Sequence, residues 1–159
     1  MNVNIHRAAL ASTAIAVGVD YAIQRRSRRR YDVKRTLRVG TYAWWSSFPQ
    51  VHYFKLLGNT FQGNTISTVI KKTMVNQCCF APVNISLAIM WDCILQNQTS
   101  KHMYKKINKN LGPALIEGSV FWIPMNSIGF YMIPNNSQFI FFKFASVLYK
   151  FILLPRTNN

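Results

Sequence analysis

Long apolar stretches alternate with short basic ones along the chain. Four stretches are nearly free of charge: Ala8 to Val19, Val39 to Phe54, Thr73 to Trp91 and Gly118 to Phe142. A spanning helix needs roughly 20 apolar residues to cross about 30 Å of hydrocarbon, whereas runs of about 10 to 14 are more often core helices or interfacial pieces. Two of the four runs reach that length and two are borderline. The runs contain Pro49, Pro82, Pro124 and Pro134, with Gly40, Gly118 and Gly129 nearby. Soluble helices rarely hold interior proline, while membrane bundles do, because neighbouring helices and hydroxyl side chains satisfy the freed carbonyl. The pattern predicts an all-α, polytopic transmembrane helix bundle with proline-kinked spans near residues 5–24, 37–58, 66–95 and 111–134. A further apolar helix is expected near 138–155, spanning or lying flat, and the whole of 1–159 reads as a single integral membrane domain.

A soluble all-α bundle is the competing reading, since its buried helices are also apolar and the mean hydropathy of +0.05 is modest for a membrane protein. Composition changes that picture. Only 14% of the residues are charged, where soluble domains carry about 25%, and the few charges are segregated, so the average hides the apolar runs. With half the residues hydrophobic and 14% aromatic, a disordered tail is excluded. Three cysteines do not suit a disulfide-stapled secreted module, which would leave one over.

The charge is strongly basic, 19 Lys and Arg against 4 Asp and Glu. Eight of the bases, Arg25, Arg26, Arg28, Arg29, Arg30, Lys34, Arg35 and Arg38, fall in one block, and Lys101, Lys105, Lys106 and Lys109 form a second. Four crossing helices would place both blocks, read as loops, on one side, while the loop from Asn59 to Thr65 has no base. That asymmetry is what the positive-inside rule expects. The same arginines are candidates for contact with anionic lipid, at about 1 kcal/mol per basic residue near such a surface. The dense arginine block directly after Ala8–Val19 opposes translocation as a cleavable signal, so that segment reads as an uncleaved first helix.

The four acids are informative because they are few. Asp32 sits among arginines and reads as a local ion-pair partner; Asp20, Asp92 and Glu117 lie within or at the ends of apolar runs. A carboxylate at mid-bilayer costs about 2.5 to 3.5 kcal/mol on insertion scales, so such groups usually face a bundle interior or a hydrated path. Asp20 and Gln24 are one helical turn apart and share a face. With Asn76 and Gln77 they are the candidate interior or pore-lining polar groups. The bland reading is that these amides hydrogen-bond across helices simply to hold the bundle.

No catalytic signature emerges. His6, His52 and His102 are isolated, and Cys78, Cys79 and Cys93 lack C-x-x-C spacing, so neither a metal site nor any other cofactor is expected. The Gly58–Asn64 segment lacks the Gly-Lys-Ser/Thr of a phosphate cradle, and there is no G-x-S-x-G. The sequons at Asn84, Asn97 and Asn135 are weak patterns outside a secretory route. An enzyme is therefore not expected.

The order Gly18-Val19-Asp20 with Gln24, then Asp32, Arg35, Arg38 and Gly40, then Lys71-Lys72, Gln77 and Phe80-Ala81-Pro82, then Trp122, Pro124, Phe130 and Pro134 resembles the Mpv-seventeen-like family, also called the peroxisomal membrane protein twenty-two family. The likeness covers nearly the whole chain and is most specific from Trp122 to Pro134. Pro82, Trp122, Pro124, Phe130 and Pro134 would be its structural motif residues. Departures include Asn76 for the aspartate of an Asp-Gln pair, Ile123 for the proline after the tryptophan, Asn126 for a glutamine, Gly129 for an asparagine, Gln138 for an arginine and Tyr149-Lys150 for a Trp-Asn pair.

The resemblance implies a small helical protein of the mitochondrial inner membrane or, alternatively, the peroxisomal membrane. Some relatives look like weakly selective solute pores, and the family is associated with mitochondrial DNA maintenance, nucleotide supply and control of reactive oxygen species. Three functional classes follow. The first is a weakly selective small-solute channel or transport-linked protein supporting mitochondrial homeostasis. The second is a non-conducting structural or assembly factor docking anionic lipid, or an organellar ribonucleoprotein, through its basic loops. The third is a soluble basic nucleic-acid binder, which the segregated charge disfavours, so no specific nucleic acid is expected. The bilayer itself and a second copy of the chain complete the candidate partners.

Overall fold

A computed structural model describes residues 5–26 and 30–153. Every regular element in these stretches is helical: α1 (Ile5–Arg26), α2 (Val33–Thr60), α3 (Ile66–Val75), a π-helical segment (Asn76–Phe80), α4 (Ala81–Leu95), α5 (Ser100–Met132) and α6 (Asn135–Leu153). The helices sort into two compact units. One holds α1, α2 and α6, and the other runs from Phe61 to Met132.

In the first unit, α1 and α2 meet along a seam of small and hydroxyl-bearing residues. The buried positions of α2 include Thr36, Gly40, Ala43, Ser47, Gln50, Phe54 and Leu57, spaced alternately four and three apart. They form one stripe along a helix with 3.6 residues per turn. Facing them on α1 are Ala8, Ala9, Ser12, Val19, Asp20 and Gln24. Ser12 Oγ donates to Ala43 O at 3.4 Å. A Cβ on Gly40 would lie 3.0 Å from Val17 Cγ2, so glycine is what permits this approach. Small residues at a seam let backbones come close, which is how helices associate where lipid tails are as apolar as any side chain. α6 adds Phe139, Phe142 and Ala145 to the core, and Phe142 stacks on Phe54 with centroids 5.0 Å apart and planes 18° apart.

In the second unit, the segment Ile66–Leu95 is one uninterrupted helical rod of 30 residues, about 45 Å long at 1.5 Å per residue. Thr65 opens it, its Oγ1 accepting from Thr68 N. Partway along, the Ala81 backbone N–H reaches back to Asn76 O, a π turn. Pro82, at the next position, has no N–H, and in an α-helix its ring would crowd the carbonyl four residues back; the wider turn just ahead of it relieves both problems. The rod stops in a Schellman arrangement, with Gln98 N donating to Cys93 O and Asn97 N to Ile94 O, both at 3.0 Å. Asn97 takes the left-handed conformation at φ 52, a role that asparagine can fill in place of glycine.

Thr99 then caps α5, its Oγ1 accepting from His102 N at 3.4 Å. Sequence pattern placed Lys101 to Lys109 in a loop; they lie instead on the first turns of the 33-residue α5. The reason is local. A capping threonine precedes them, lysine is a good helix former, and the apolar-run criterion sees only the part of a helix that is apolar. The same holds for the first basic block: Arg25 and Arg26 end α1, while Lys34, Arg35 and Arg38 lie on the first turns of α2. Arg28 and Arg29 lie outside the described residues. α5 returns antiparallel to the rod, tied by Gln77 Nε2 donating to Ser119 Oγ at 2.7 Å and by the Lys106–Asp92 ion pair at 3.1 Å.

The burial pattern is inverted relative to a soluble bundle. Of the 15 residues of α4 only Cys93 is buried. Along α3 the buried residues are Val69, Lys72 and Thr73, while Ile66, Ile70 and Met74 are exposed. α5 buries Gly118, Asn126, Gly129 and Phe130 and exposes Ile116, Val120, Ile123, Ile128 and Met132. Continuous apolar exposure of this kind is rare on soluble monomers and is the normal outer surface of a helix in lipid. Among the described residues, Ile66–Leu95 is the one stretch that is by itself long and apolar enough to cross a membrane. Between Lys72 and Asp92 it carries no charge, a length of about 30 Å that matches the hydrocarbon core.

Candidate functional site

Two polar clusters occupy the interiors of the two units, and they differ in how completely their atoms are satisfied.

The first cluster stands where α1 hands over to α2. Asp20 is 4% exposed, and its carboxylate is fully engaged. Oδ2 accepts from Gln24 Nε2 and from Thr36 Oγ1, each at 2.7 Å, and Oδ1 faces Arg35 Nε at 3.0 Å. The Gln24 amide also reaches Thr36 Oγ1 at 2.9 Å and Asp32 O at 3.2 Å, and its Oε1 accepts from Asp32 N at 2.6 Å. Gln24 thus threads the turn, bonding both faces of the Asp32 peptide region. Asp32, expected to serve as an ion-pair partner, instead caps α2: its Oδ1 accepts from Arg35 N at 3.0 Å, the third residue of the helix, as an N-cap carboxylate should. Asp20 and Gln24, singled out in the sequence, are both buried on α1, one helical turn apart. The sequence missed Thr36 and the Arg35 pairing, because nothing in a linear pattern says which residue of the next helix will face them.

The second cluster lies within the unit of α3, α4 and α5. Gln77 is bonded to Ser119, as given above. Asn76 is buried, with no partner for its Oδ1; Thr73 Oγ1 and both side-chain polar atoms of Asn126 are likewise buried and unbonded. Asn126 is 1% exposed, and Lys72 is also 1% exposed. The one hydrogen bond of Lys72 runs from Nζ to Gly63 O at 3.4 Å. That carbonyl is presented by a residue at φ +84, a conformation suited to glycine. The ties between Gln77 and Ser119 and between Asp92 and Lys106 fix the antiparallel pairing of the rod with α5. Of this group the sequence singled out Asn76 and Gln77. Lys72, Thr73 and Asn126 were legible only as a polar face within an apolar run, at spacings of three and four residues.

The remaining acids sit at the periphery. Asp92 pairs with Lys106, both partly exposed, and Glu117 is exposed on α5. Cys78 and Cys79 are exposed and Cys93 is buried. Among the described residues no three His, Cys, Asp or Glu side chains gather as metal ligands. His6 packs edge-on against Phe48, with ring centroids 5.8 Å apart.

Pro82 follows the π segment, Pro124 is inside α5, Pro134 separates α5 from α6, and Phe130 is completely buried. At the Pro134 corner, Gln138 is 1% exposed. Its Nε2 donates to Ile133 O at 3.1 Å and to Asn135 Oδ1 at 3.2 Å. Residues 93–153, which carry all of these except Pro82, match the Mpv17 / PMP22 family. The likeness extends beyond that segment. A mitochondrial inner membrane protein Mpv17 of Danio rerio is 25% identical over 138 residues, 86% of this chain and 78% of the relative.

The chain is similar to the Mpv17/PMP22 family.

PXMP2/4 family protein 1 of Dictyostelium discoideum is 28% identical over 155 residues, 94% of the chain and 76% of that relative. Peroxisomal membrane protein 2 of Bos taurus is 25% identical over 114 residues, 71% of the chain and 58% of that relative. No solved structure matches. The likeness to this family and the inverted burial agree: this is an all-α, polytopic membrane protein, and the soluble-bundle reading is set aside.

Proposed function

We propose that the protein is a weakly selective small-solute channel of the mitochondrial inner membrane, its path running along the polar face of the α3–α5 unit. The observation that carries this reading is the set of buried, unbonded polar atoms on Thr73, Asn76 and Asn126, inside helices whose outer faces are apolar. Buried polar atoms are almost always hydrogen-bonded, and leaving one unpaired costs about 1 to 3 kcal/mol. In a bilayer, polar groups facing inward without protein partners suit a hydrated path, where water or solute completes their bonding. The Asp20 cluster is closed by comparison: its atoms bond one another, which suits a fastening between helices. The compartment is inferred from relatives named for the mitochondrial inner membrane; the peroxisomal membrane is the alternative drawn from Peroxisomal membrane protein 2. The exposure of Arg25, Arg26 and Arg30 supports contact with anionic headgroups.

The test is reconstitution of the purified protein in liposomes, with release of small sugars and ions measured, alongside Asn126→Leu. Release by the parent and a several-fold loss in Asn126→Leu supports the channel. Sealed vesicles containing folded protein defeat it. Carbonate extraction of fractionated mitochondria and peroxisomes, with tagged protein, tests the compartment: recovery in the peroxisomal pellet alone overturns the mitochondrial assignment.

A further inference from the structure

We infer that Lys72 is the centre of a binding site for a small anion, of the inorganic phosphate class, at one end of the α3–α5 unit. The inference deepens the channel reading and rests on the same polar face, but it concerns binding, which is measurable without transport.

Lys72 is the most deeply buried charged side chain of its unit, and its one partner is a neutral carbonyl at 3.4 Å. An ammonium has three N–H donors and no acceptor, so two remain without a protein partner. Buried charges are ordinarily paired. Among the described residues no carboxylate lies within ion-pair distance of this one; the acids of the unit are Asp92, tied to Lys106, and Glu117, exposed. The position from which an acid would neutralise Lys72 is one helical turn on, and there the backbone N–H bonds back to Lys72 O. Its occupant is Asn76, which is uncharged. In the same unit, the buried side-chain atoms that lack partners are the Thr73 hydroxyl, both amide atoms of Asn126 and the amide oxygens of Asn76 and Gln98. An unpaired cation, a hydroxyl and an amide donor on one helix pair suit an oxyanion. The amide oxygens of Asn76 and Asn126 suit one that keeps a proton, as phosphate does near pH 7. Lys72 lies at the boundary of the charge-free stretch, about 30 Å along the rod from Asp92, so the site is at one end of that stretch.

The experiment titrates inorganic phosphate, from micromolar to low millimolar at fixed ionic strength, against the full chain in detergent micelles. The readouts are the thermal unfolding midpoint and phosphorus NMR line broadening. The parent is expected to show a saturable response. Lys72→Met, which keeps the side-chain volume, and Asn76→Asp, which supplies an internal counter-ion one turn away, are each expected to weaken phosphate at least tenfold. Asn76→Asp is also expected to unfold at a higher midpoint than the parent in phosphate-free buffer, which shows that it folds. General salting-in or salting-out by phosphate would move all three proteins alike. A parent with no saturable response, or Asn76→Asp responding as the parent does, overturns the site. Chloride in place of phosphate reports whether charge alone suffices: an equal response to chloride overturns the assignment to an oxyanion. The two readings fail separately. Liposomes that leak solute while phosphate binding is absent defeat the anion site alone, and bound phosphate with sealed liposomes defeats the channel alone.

Discussion

Replacing Asp20 is the sharpest test of whether the first polar cluster is a fastening. The carboxylate accepts two short hydrogen bonds from buried partners, Gln24 Nε2 and Thr36 Oγ1, and faces Arg35 Nε at 3.0 Å. Each hydrogen bond to a charged acceptor is worth about 1.5 to 3 kcal/mol net. Asp20→Ala removes both, though Gln24 keeps Thr36 Oγ1 and Asp32 O as acceptors, which recovers part of the loss. The Arg35 side chain is 49% exposed, so its ion pair is screened and adds less than about 1 kcal/mol. The expected cost of Asp20→Ala is therefore roughly 2 to 4 kcal/mol, within the range for removing one partner from a buried charged network. Arg35→Gln should cost under about 1 kcal/mol. Asp20→Asn should fall between them, because one of its amide atoms becomes a donor aimed at groups that are themselves donors. Unfolding by sodium dodecyl sulfate in mixed micelles, followed by far-UV circular dichroism and extrapolated linearly, gives the three values. An Asp20→Ala cost below about 0.5 kcal/mol, or an Arg35→Gln cost equal to it, would refute the account. Conductance per folded molecule should be unchanged in Asp20→Ala; a changed selectivity would return Asp20 to the path.

Other outcomes follow from particular contacts. A Cβ on Gly58 would lie 2.8 Å from Asn135 Nδ2, so Gly58→Ala should be near neutral alone, strain offsetting the gain in helix propensity; in an Asn135→Ala background it should stabilise by about 1 kcal/mol, and additive values in the same denaturation assay would exclude the clash. Ala9 is completely buried beside the α1–α2 seam, so Ala9→Leu should cost about 1 to 3 kcal/mol by overpacking; an unchanged unfolding midpoint would show a looser seam. Cys78 and Cys79 are exposed in the charge-free part of the rod and Cys93 is buried, so in intact membranes an apolar maleimide should label the first two while a charged one labels none. Mass spectrometry reads this, and labelling by the charged reagent would place that surface in water.

Much of the fold was legible in the sequence, and the parts that were not have physical reasons. The bounds 66–95 emerge intact because a long apolar run between a turn-forming loop and a polar one leaves little choice of ends. α2 begins four residues before its expected start at 37, and α5 eleven before 111. In both cases the extra turns are basic, and hydropathy cannot distinguish a basic helical turn from a basic loop. Asp32 and Thr99 were the signals available, each an N-cap residue directly before its helix. The interior of the site was half legible. Asp20, Gln24, Asn76 and Gln77 stood out as polar groups in apolar surroundings, but whether such a group is fastened or left open depends on the facing helix, and only the folded chain supplies Thr36 for Asp20 while supplying nothing for Asn76.

That contrast carries a consequence for how charge is used in this protein. Asp20 and Lys72 are both largely covered side chains, on different units, and each carries a charge that needs partners. For Asp20 the chain answers with two buried donors and a half-exposed arginine, all within 3.0 Å. Lys72 receives one carbonyl at 3.4 Å and an asparagine where a carboxylate would serve. Packing alone does not explain the difference, because Asn76 and aspartate are close in volume, so a counter-ion would fit the same space. A cation kept inside a membrane protein without an internal counter-ion, in a unit whose hydroxyl and amide groups also lack partners, favours a charge supplied from outside. The unsatisfied cluster therefore marks where a ligand would bind and the satisfied one where the helices are held, so stability measurements should be sensitive at Asp20 and anion binding at Lys72.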